Sequence, residues 1–252
     1  DDLKLEDLRK LFLLSGGHPY LLKIASSEIN FQSIERFFSN FKTGDQSEFE
    51  KYILSKVISD ISEDERKVIQ YALMLDVPFQ LDIEDYIEGI SFISTLKSLQ
   101  EKFIIEKLNN NSFVIADFLK PTLVNIYREE TSNEYIYNVI DYLKYKNNAS
   151  VVELFSLVKL LLKAKLYSSA NNEFSDLISE LMREGHFNLT ASLINQLLDF
   201  DYVVKSWSVP LYILGRVYRM QQEYEKALEI YNEGIIIASD SFLYSNFLFE
   251  KA

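Results

Sequence analysis

Small and aromatic residues recur between Ser208 and Ser241 at spacings that suit two closely packed helices. Gly215 and Tyr218 lie in the first apolar stretch of this segment, and Ala227, Tyr231 and Gly234 lie in the second. Small residues at positions 215 and 227 would let two helices approach each other, and the aromatic rings would fill the groove between them. One such hairpin cannot bury its own apolar face, so the segment also predicts neighbouring helices.

This segment resembles a tetratricopeptide repeat, which is a helix pair of about 34 residues with small and aromatic residues at fixed positions. It departs from that pattern because it has no early tryptophan and has Ser239 where proline is usual. Weaker echoes at Leu166–Ala170 and Gly185–Ala191 are irregularly spaced, which leaves the pairing of their helices open. The alternative is an ordinary helical hairpin. We predict an α-solenoid of tetratricopeptide-like helix hairpins over residues 131–252, incomplete at the C-terminus.

Composition favours helices over the whole chain. The 252 residues include only 7 Gly and 4 Pro, and 48% are apolar, which is enough for a substantial core. The length suggests two or three compact units. The fold class is therefore predicted to be mainly α, with a helical lid, a winged-helix domain carrying a small β-hairpin, and the repeats.

Composition also excludes several functions. Cysteine is absent, which rules out disulfides and thiolate zinc sites and fits a cytoplasmic location. The two histidines cannot form a histidine-rich metal site, and the sequence shows no signal peptide and no apolar run long enough to span a membrane. A net charge of −12 disfavours nucleic acid and anionic membranes as partners.

Residues 61–130 have the pattern of a winged helix. Ser62 and Glu65 form a capping box that predicts the start of a helix. Further helices are predicted over Ile83–Ile87 and Ser91–Glu101. Two β-rich runs then flank three asparagines, which tolerate positive φ and so predict a hairpin turn. A helix over Lys120–Glu130 follows.

Residues 1–60 are predicted to form helices. Gly16 and Gly17 interrupt an apolar-periodic helix, and Pro19 suits the first position of the next one. The stretch Gly17-His18-Pro19 resembles the Gly-x-Pro sensor of STAND-class signalling ATPases, which include the NB-ARC and NACHT groups and archaeal relatives. The resemblance implies that residues 1–60 are the helical lid of an ATPase module and that Gly17, His18 and Pro19 contact an adenine nucleotide, ATP or ADP, in the parent protein. The order of lid, winged helix and repeats is also that of this class.

One departure concerns the winged helix. NB-ARC proteins carry a Met-His-Asp motif near the second wing strand, and its histidine reaches the nucleotide phosphate. The matching place here is Ile115-Ala116-Asp117, which has no histidine. This stretch is closer to that of the archaeal relatives, and the departure puts nucleotide sensing by the winged helix in doubt.

The segment contains no predicted catalytic residue and no metal site. A P-loop of the form GxxxxGK[ST] is absent, so phosphoryl transfer would depend on other parts of the parent NTPase. A DNA-reading winged helix would use Ser91–Glu101, which offers only Lys97, and acidic residues outnumber basic ones over residues 62–128. This balance disfavours DNA binding.

These patterns predict the regulatory and sensor arm of a STAND-type signal-transduction ATPase. The resemblance implies that the repeats recognise a protein trigger, that the winged helix relays a nucleotide-linked change, and that activation assembles a homo-oligomer. We name Tyr212, Arg216 and Arg219 as the partner-binding surface of the repeats. Composition suggests a prokaryotic source, and the resemblance then implies a role in antiviral defence or regulation. The alternatives are a tetratricopeptide adaptor that binds proteins without nucleotide, and a winged-helix transcription regulator.

Overall fold

The computed structural model describes residues 4–31, 34–39, 46–127, 133–238 and 241–251. Helices make up most of the regular structure, and the strands of the described ranges form one antiparallel hairpin, so the mainly-α prediction is confirmed. The chain divides into two compact units, Asp1–Asn138 and Val139–Ala252. The predicted domain boundaries after residues 60 and 130 stay predictions.

The first unit begins with four helices. They are α1 (Leu5–Leu14), α2 (Pro19–Phe31), α3 (Ile34–Ser39) and α4 (Gln46–Ser59). Helices α1, α2 and α4 contact one another because each buries apolar residues along one side, including Leu11, Leu21 and Ile53. Helix α1 also exposes two leucines, Leu5 and Leu8.

The rest of the first unit follows the predicted order of a winged helix. Its elements are α5 (Glu63–Leu75), a 3-10 helix (Leu81–Tyr86), α6 (Phe92–Glu101), β1 (Ile105–Lys107), β2 (Phe113–Ile115) and α7 (Lys120–Tyr127). The short helix predicted over Ile83–Ile87 is thus a 3-10 helix that begins two residues earlier. Helix α7 is described as far as Tyr127, and the last residues of the helix predicted to Glu130 lie outside the described ranges.

The hairpin prediction is confirmed in detail. Ile105 pairs with Ile115 and Lys107 with Phe113, and Asn111 in the turn has a φ of 59°. Phe79 adds an isolated antiparallel bridge to β2. Its N–H donates to the carbonyl of Phe113 at 2.9 Å, and the N–H of Phe113 donates to the carbonyl of Phe79 at 2.7 Å. The bridge fixes the loop before the 3-10 helix against the wing.

The second unit consists of helices. Helix α8 (Asn133–Tyr145) crosses the division between the units, and it is followed by α9 (Val151–Lys163), α10 (Tyr167–Arg183), α11 (Phe187–Leu197), α12 (Asp201–Ser206), α13 (Ser208–Met220), α14 (Tyr224–Ile237) and α15 (Ser241–Lys251). Helix α13 contacts α11, α14 and α15. The predicted helix pair of Ser208–Ser241 is therefore α13 and α14, with α15 as the next helix.

Two glycines allow these helices to approach closely. A Cβ atom on Gly215 of α13 would overlap the buried ring of Tyr231 on α14. In the same way, a Cβ atom on Gly234 of α14 would overlap the ring of Phe247 on α15. The predicted role of small residues opposite aromatic ones is confirmed at position 215, and position 234 repeats it one helix later.

Three turns in this unit share one geometry. Each has a residue of positive φ, a capping residue, an aromatic residue that starts the next helix, and a small buried residue three positions on. The positive-φ residues are Lys165, Gly185 and Gln222, the aromatic ones are Tyr167, Phe187 and Tyr224, and the small ones are Ala170, Thr190 and Ala227. The weak echoes in the sequence are thus regular once they are aligned on the positive-φ residue.

Candidate functional site

The Gly-Gly-His-Pro stretch forms the turn between α1 and α2. Gly16 and Gly17 have φ values of 58° and 73°, which residues with a side chain rarely adopt. The Gly17 N–H donates to the carbonyl of Phe12 at 3.0 Å and so ends α1. Pro19 is the first residue of α2, where its missing N–H needs no partner. The predicted glycine break and proline start are confirmed.

His18 and Tyr20 lie against a ring that follows the wing hairpin. The centroid of the His18 ring is 5.3 Å from that of Phe118, and the Tyr20 ring stacks on Phe118 with centroids 4.9 Å apart. Nδ1 of His18 is buried and has no hydrogen-bond partner, whereas Pro19 is exposed. The three rings therefore connect the start of α2 to the end of the hairpin within the first unit.

Polar groups strengthen this contact. The Tyr20 hydroxyl donates to Oε1 of Glu106 on β1. Nζ of Lys23, one turn further along α2, lies 5.6 Å from the ring centroids of both Tyr20 and Phe103, within the range of a cation–π interaction. Phe118, Glu106 and Phe103 were not among the residues singled out from the sequence. A contact between residues this far apart leaves no periodic signal.

A cavity of about 310 Å³ opens nearby between α2, α4 and α6. Its wall includes Ile24, Ser27, Glu28, Lys56, Lys102 and Phe103. Gly17, His18 and Pro19 do not line it. The cavity therefore does not test the predicted contact of these three residues with adenine, which stays a prediction.

The three predicted partner-binding residues come together on one face of α13, where they meet α15. The rings of Tyr212 and Phe247 are edge-on with centroids 5.5 Å apart, and the guanidinium of Arg216 lies 5.9 Å from the Tyr212 ring. Arg219 forms an ion pair with Glu250, and Nε of Arg216 lies 3.8 Å from the same carboxylate. Whether this face binds a partner stays a prediction.

One residue of this face escaped the sequence analysis. Glu250 lies about 34 residues, one repeat length, after Arg216, so the two occupy equivalent positions on neighbouring first helices. This spacing could have identified Glu250 from the sequence. Tyr231, which the sequence identified only as a packing residue of the repeat, has a hydroxyl that is buried without a hydrogen-bond partner; burial and the charge of Glu250 raise its pKa to about 12.

In the described ranges no three His, Asp or Glu side chains come together as a metal site. No helix within those ranges is long and apolar enough to cross a membrane. Lys97, the one basic residue predicted for a DNA-reading helix, lies on α6 with its Nζ 3.9 Å from Oε1 of Glu101.

Comparison with known proteins gives one structural match to report. No protein-family model and no curated protein matches the sequence. The chain is similar to the crystal structure of a signal transduction ATPase with numerous domains (STAND) protein with a tetratricopeptide repeat sensor from Pyrococcus horikoshii. The match has 16% identity and a TM-score of 0.47, and it covers 99% of this chain and 41% of that structure.

Proposed function

We propose that this chain is the regulatory and sensor arm of a STAND-type signal-transduction ATPase. The repeats bind a protein trigger, and the winged helix passes a nucleotide-linked change between the arm and the rest of the parent protein. An adenine nucleotide, ATP or ADP, contacts Gly17, His18 and Pro19, and activation assembles a homo-oligomer. The setting we propose is antiviral defence in the cytoplasm of a prokaryote.

One observation supports this proposal above the others. The ring of His18, a predicted nucleotide contact, packs against Phe118 at the end of the wing hairpin, and neighbouring Tyr20 does the same. A nucleotide that moved His18 would therefore also move the wing, because close-packed rings shift together. Residues 17–19 thus lie at a position from which a change caused by nucleotide could reach the hairpin.

The test uses the natural full-length protein. After gentle purification, the bound nucleotide is extracted and identified by mass spectrometry. We expect ATP or ADP, and we expect His18→Ala to reduce the amount retained. His186→Ala is the matched control, since His186 is exposed at the start of α11 in the other unit. A full-length protein that retains no adenine nucleotide contradicts the proposal.

A second variant tests the relay rather than the binding. Phe118→Ala removes the ring that His18 and Tyr20 share, while leaving residues 17–19 intact. We expect nucleotide to be retained but its exchange rate, followed with a fluorescent ADP analogue, to change. An exchange rate equal to that of the unaltered protein argues against a relay through this ring.

The second candidate is a tetratricopeptide adaptor that binds proteins without nucleotide. It is favoured by the partly exposed arginines of α13. These arginines offer a surface for a protein partner even if residues 17–19 bind no nucleotide. The two candidates differ in the mass-spectrometry result, because only the first requires a bound nucleotide.

A further inference from the structure

Two arginines on α13 share a single carboxylate. The side chain of Glu250 is 8% exposed, whereas the side chains of Arg216 and Arg219 are each 44% exposed. A guanidinium has five N–H donors, so one carboxylate leaves most of the donors of the two arginines free for another acceptor. The cluster combines two positive charges with one negative charge, in a chain whose net charge is −12.

The two ion pairs are not equivalent. Arg219 is in close contact with Glu250, while Nε of Arg216 is 3.8 Å away, beyond hydrogen-bond distance. The guanidinium of Arg216 lies 5.9 Å from the centroid of the Tyr212 ring. Arg216 is therefore the arginine that Glu250 engages less.

Two buried polar atoms of this cluster are left without a hydrogen bond while Glu250 occupies it. They are the hydroxyl of Tyr231 and Oε2 of Glu250, and burial together with the charge of Glu250 raises the pKa of Tyr231. A buried polar atom without a partner destabilises a fold. An incoming carboxylate therefore competes with an imperfectly bound Glu250.

We infer that Glu250 is a built-in competitor, which occupies the arginine pair of α13 in place of a carboxylate from an acidic segment of a partner protein. Carboxylates match the planar donor fork of arginine better than other protein groups do. The partner segment displaces Glu250 and takes its place on Arg216 and Arg219. The inference deepens the proposed function, since it assumes that the repeats bind a protein.

Binding of fluorescein-labelled hexaglutamate to the whole chain at low salt, measured by anisotropy, tests this inference. Glu250→Gln removes the competing charge, and we expect affinity to rise about tenfold, which is the value of about one charge-assisted hydrogen bond. Glu229→Gln is the matched control, because Glu229 is exposed on α14 and its replacement changes the net charge equally. Adding Arg216→Gln and Arg219→Gln to Glu250→Gln is expected to abolish binding.

Other outcomes are equally decisive. Glu250→Asp keeps the charge but shortens the side chain, so a partial gain is expected, and this variant serves if Glu250→Gln does not fold as judged by circular dichroism. The inference fails if Glu250→Gln binds no more tightly than Glu229→Gln, or if labelled hexaglutamine binds as well as hexaglutamate. Such a failure leaves the nucleotide test untouched, because that test concerns residues 17–19 of the other unit.

Discussion

Two helices in different units start with the same local device. Ser62 and Glu65 cap α5, and Ser150 and Glu153 cap α9. In each box the serine N–H donates to the glutamate carboxylate, at 2.7 Å and 2.8 Å, and the glutamate N–H donates back to the serine hydroxyl at 3.3 Å. Each glutamate also binds one lysine.

The two lysines come from different distances along the chain. Lys102 follows α6 and binds Glu65 at 2.8 Å, and Ser98 of α6 donates to the same carboxylate at 2.7 Å. Lys146 lies in the connection just before α9 and binds Glu153 at 2.7 Å. The first box therefore links two separate helices of the first unit, whereas the second links α9 to the short connection that precedes it. One sequence pattern thus supports a tertiary contact in one unit and a local contact in the other.

The two boxes also differ in which partner of the ion pair, the acid or the lysine, is more deeply buried. The side chain of Glu65 is 3% exposed and that of Lys102 is 30% exposed, whereas those of Lys146 and Glu153 are 9% and 13% exposed. The deeply buried partner is the acid in the first unit and, by a smaller margin, the lysine in the second. An ion left behind by a substitution should therefore destabilise the two units unequally.

The largest effect is expected from Lys102→Met. It leaves the carboxylate of Glu65 buried without a cation, which should lower the free energy of unfolding by about 3 kcal/mol. Lys146→Met leaves the more exposed Glu153, so a smaller loss is expected. Hydrogen exchange of α5 and α9 amides measures each loss separately, and fluorescence of Trp207, the only tryptophan, follows the second unit. Equal losses would refute the difference between the boxes.

A moderate effect is expected from acid. Burial tends to raise the pKa of Glu65 and of Glu153, but hydrogen bonds from the lysine and serine of each box outweigh it and lower both pKa values. Each carboxylate therefore contributes stability that is complete above its unfolded pKa, near 4.5, and is lost as the pH falls through its folded pKa. Urea unfolding between pH 6 and pH 3 should be less pH-dependent in Glu65→Gln and Glu153→Gln. An unchanged slope would exclude these groups as its source.

Removing the serine of each box is expected to have a similar effect on stability in the two units. Ser62→Ala and Ser150→Ala each remove one cap, which should lower the free energy of unfolding by about 1 kcal/mol. The two losses are expected to be similar because each serine hydroxyl accepts from the glutamate N–H at 3.3 Å, although the hydroxyl of Ser150 also donates to Glu153 at 2.8 Å. Thermal unfolding measures them, with Ser55→Ala on the exposed side of α4 as a control. A much larger loss at Ser62 would show that its cap also depends on α6.

The smallest effect is expected in alkali. Burial tends to lower the pKa of Lys146, but the hydrogen bonds that its ammonium donates to Glu153 and Tyr142 outweigh burial and raise the pKa above 10.5. The lysine thus contributes stability that is complete below its unfolded pKa and is lost as the pH rises through its folded pKa. Trp207 fluorescence in urea above pH 10.5 should report this loss in the unaltered chain and a reduced one in Lys146→Met. A loss of equal size in both would assign it to other groups.

Local features of the fold were predictable from the sequence. The capping box at Ser62, the hairpin with its asparagine turn and the start of α2 at Pro19 each depend on neighbouring residues alone. The regular phase of the repeats was not predictable. Two of the three positive-φ positions hold Lys165 and Gln222 rather than glycine, and the small position after Gly185 holds Thr190.

The candidate sites were predictable in part. The sequence brought attention to His18 and to Arg216, but not to Phe118 or Glu250, which complete their surroundings. The contact of His18 with Phe118 depends on packing between distant elements, and no periodicity in the chain encodes it. For Glu250 the repeat length carried a hint, since equivalent positions in neighbouring repeats lie close together.

The glycine-against-ring contacts of α13, α14 and α15 have a mechanical consequence. Gly215 receives the ring of Tyr231 on the next helix, and Gly234 receives that of Phe247 on the one after. Helix α15 also holds α13 directly, through the contact of Phe247 with Tyr212 and the ion pair of Glu250 with Arg219, so a force applied to α15 would load α14 and α13 together. Under tension these three helices should therefore yield as one unit, in a single rupture rather than helix by helix.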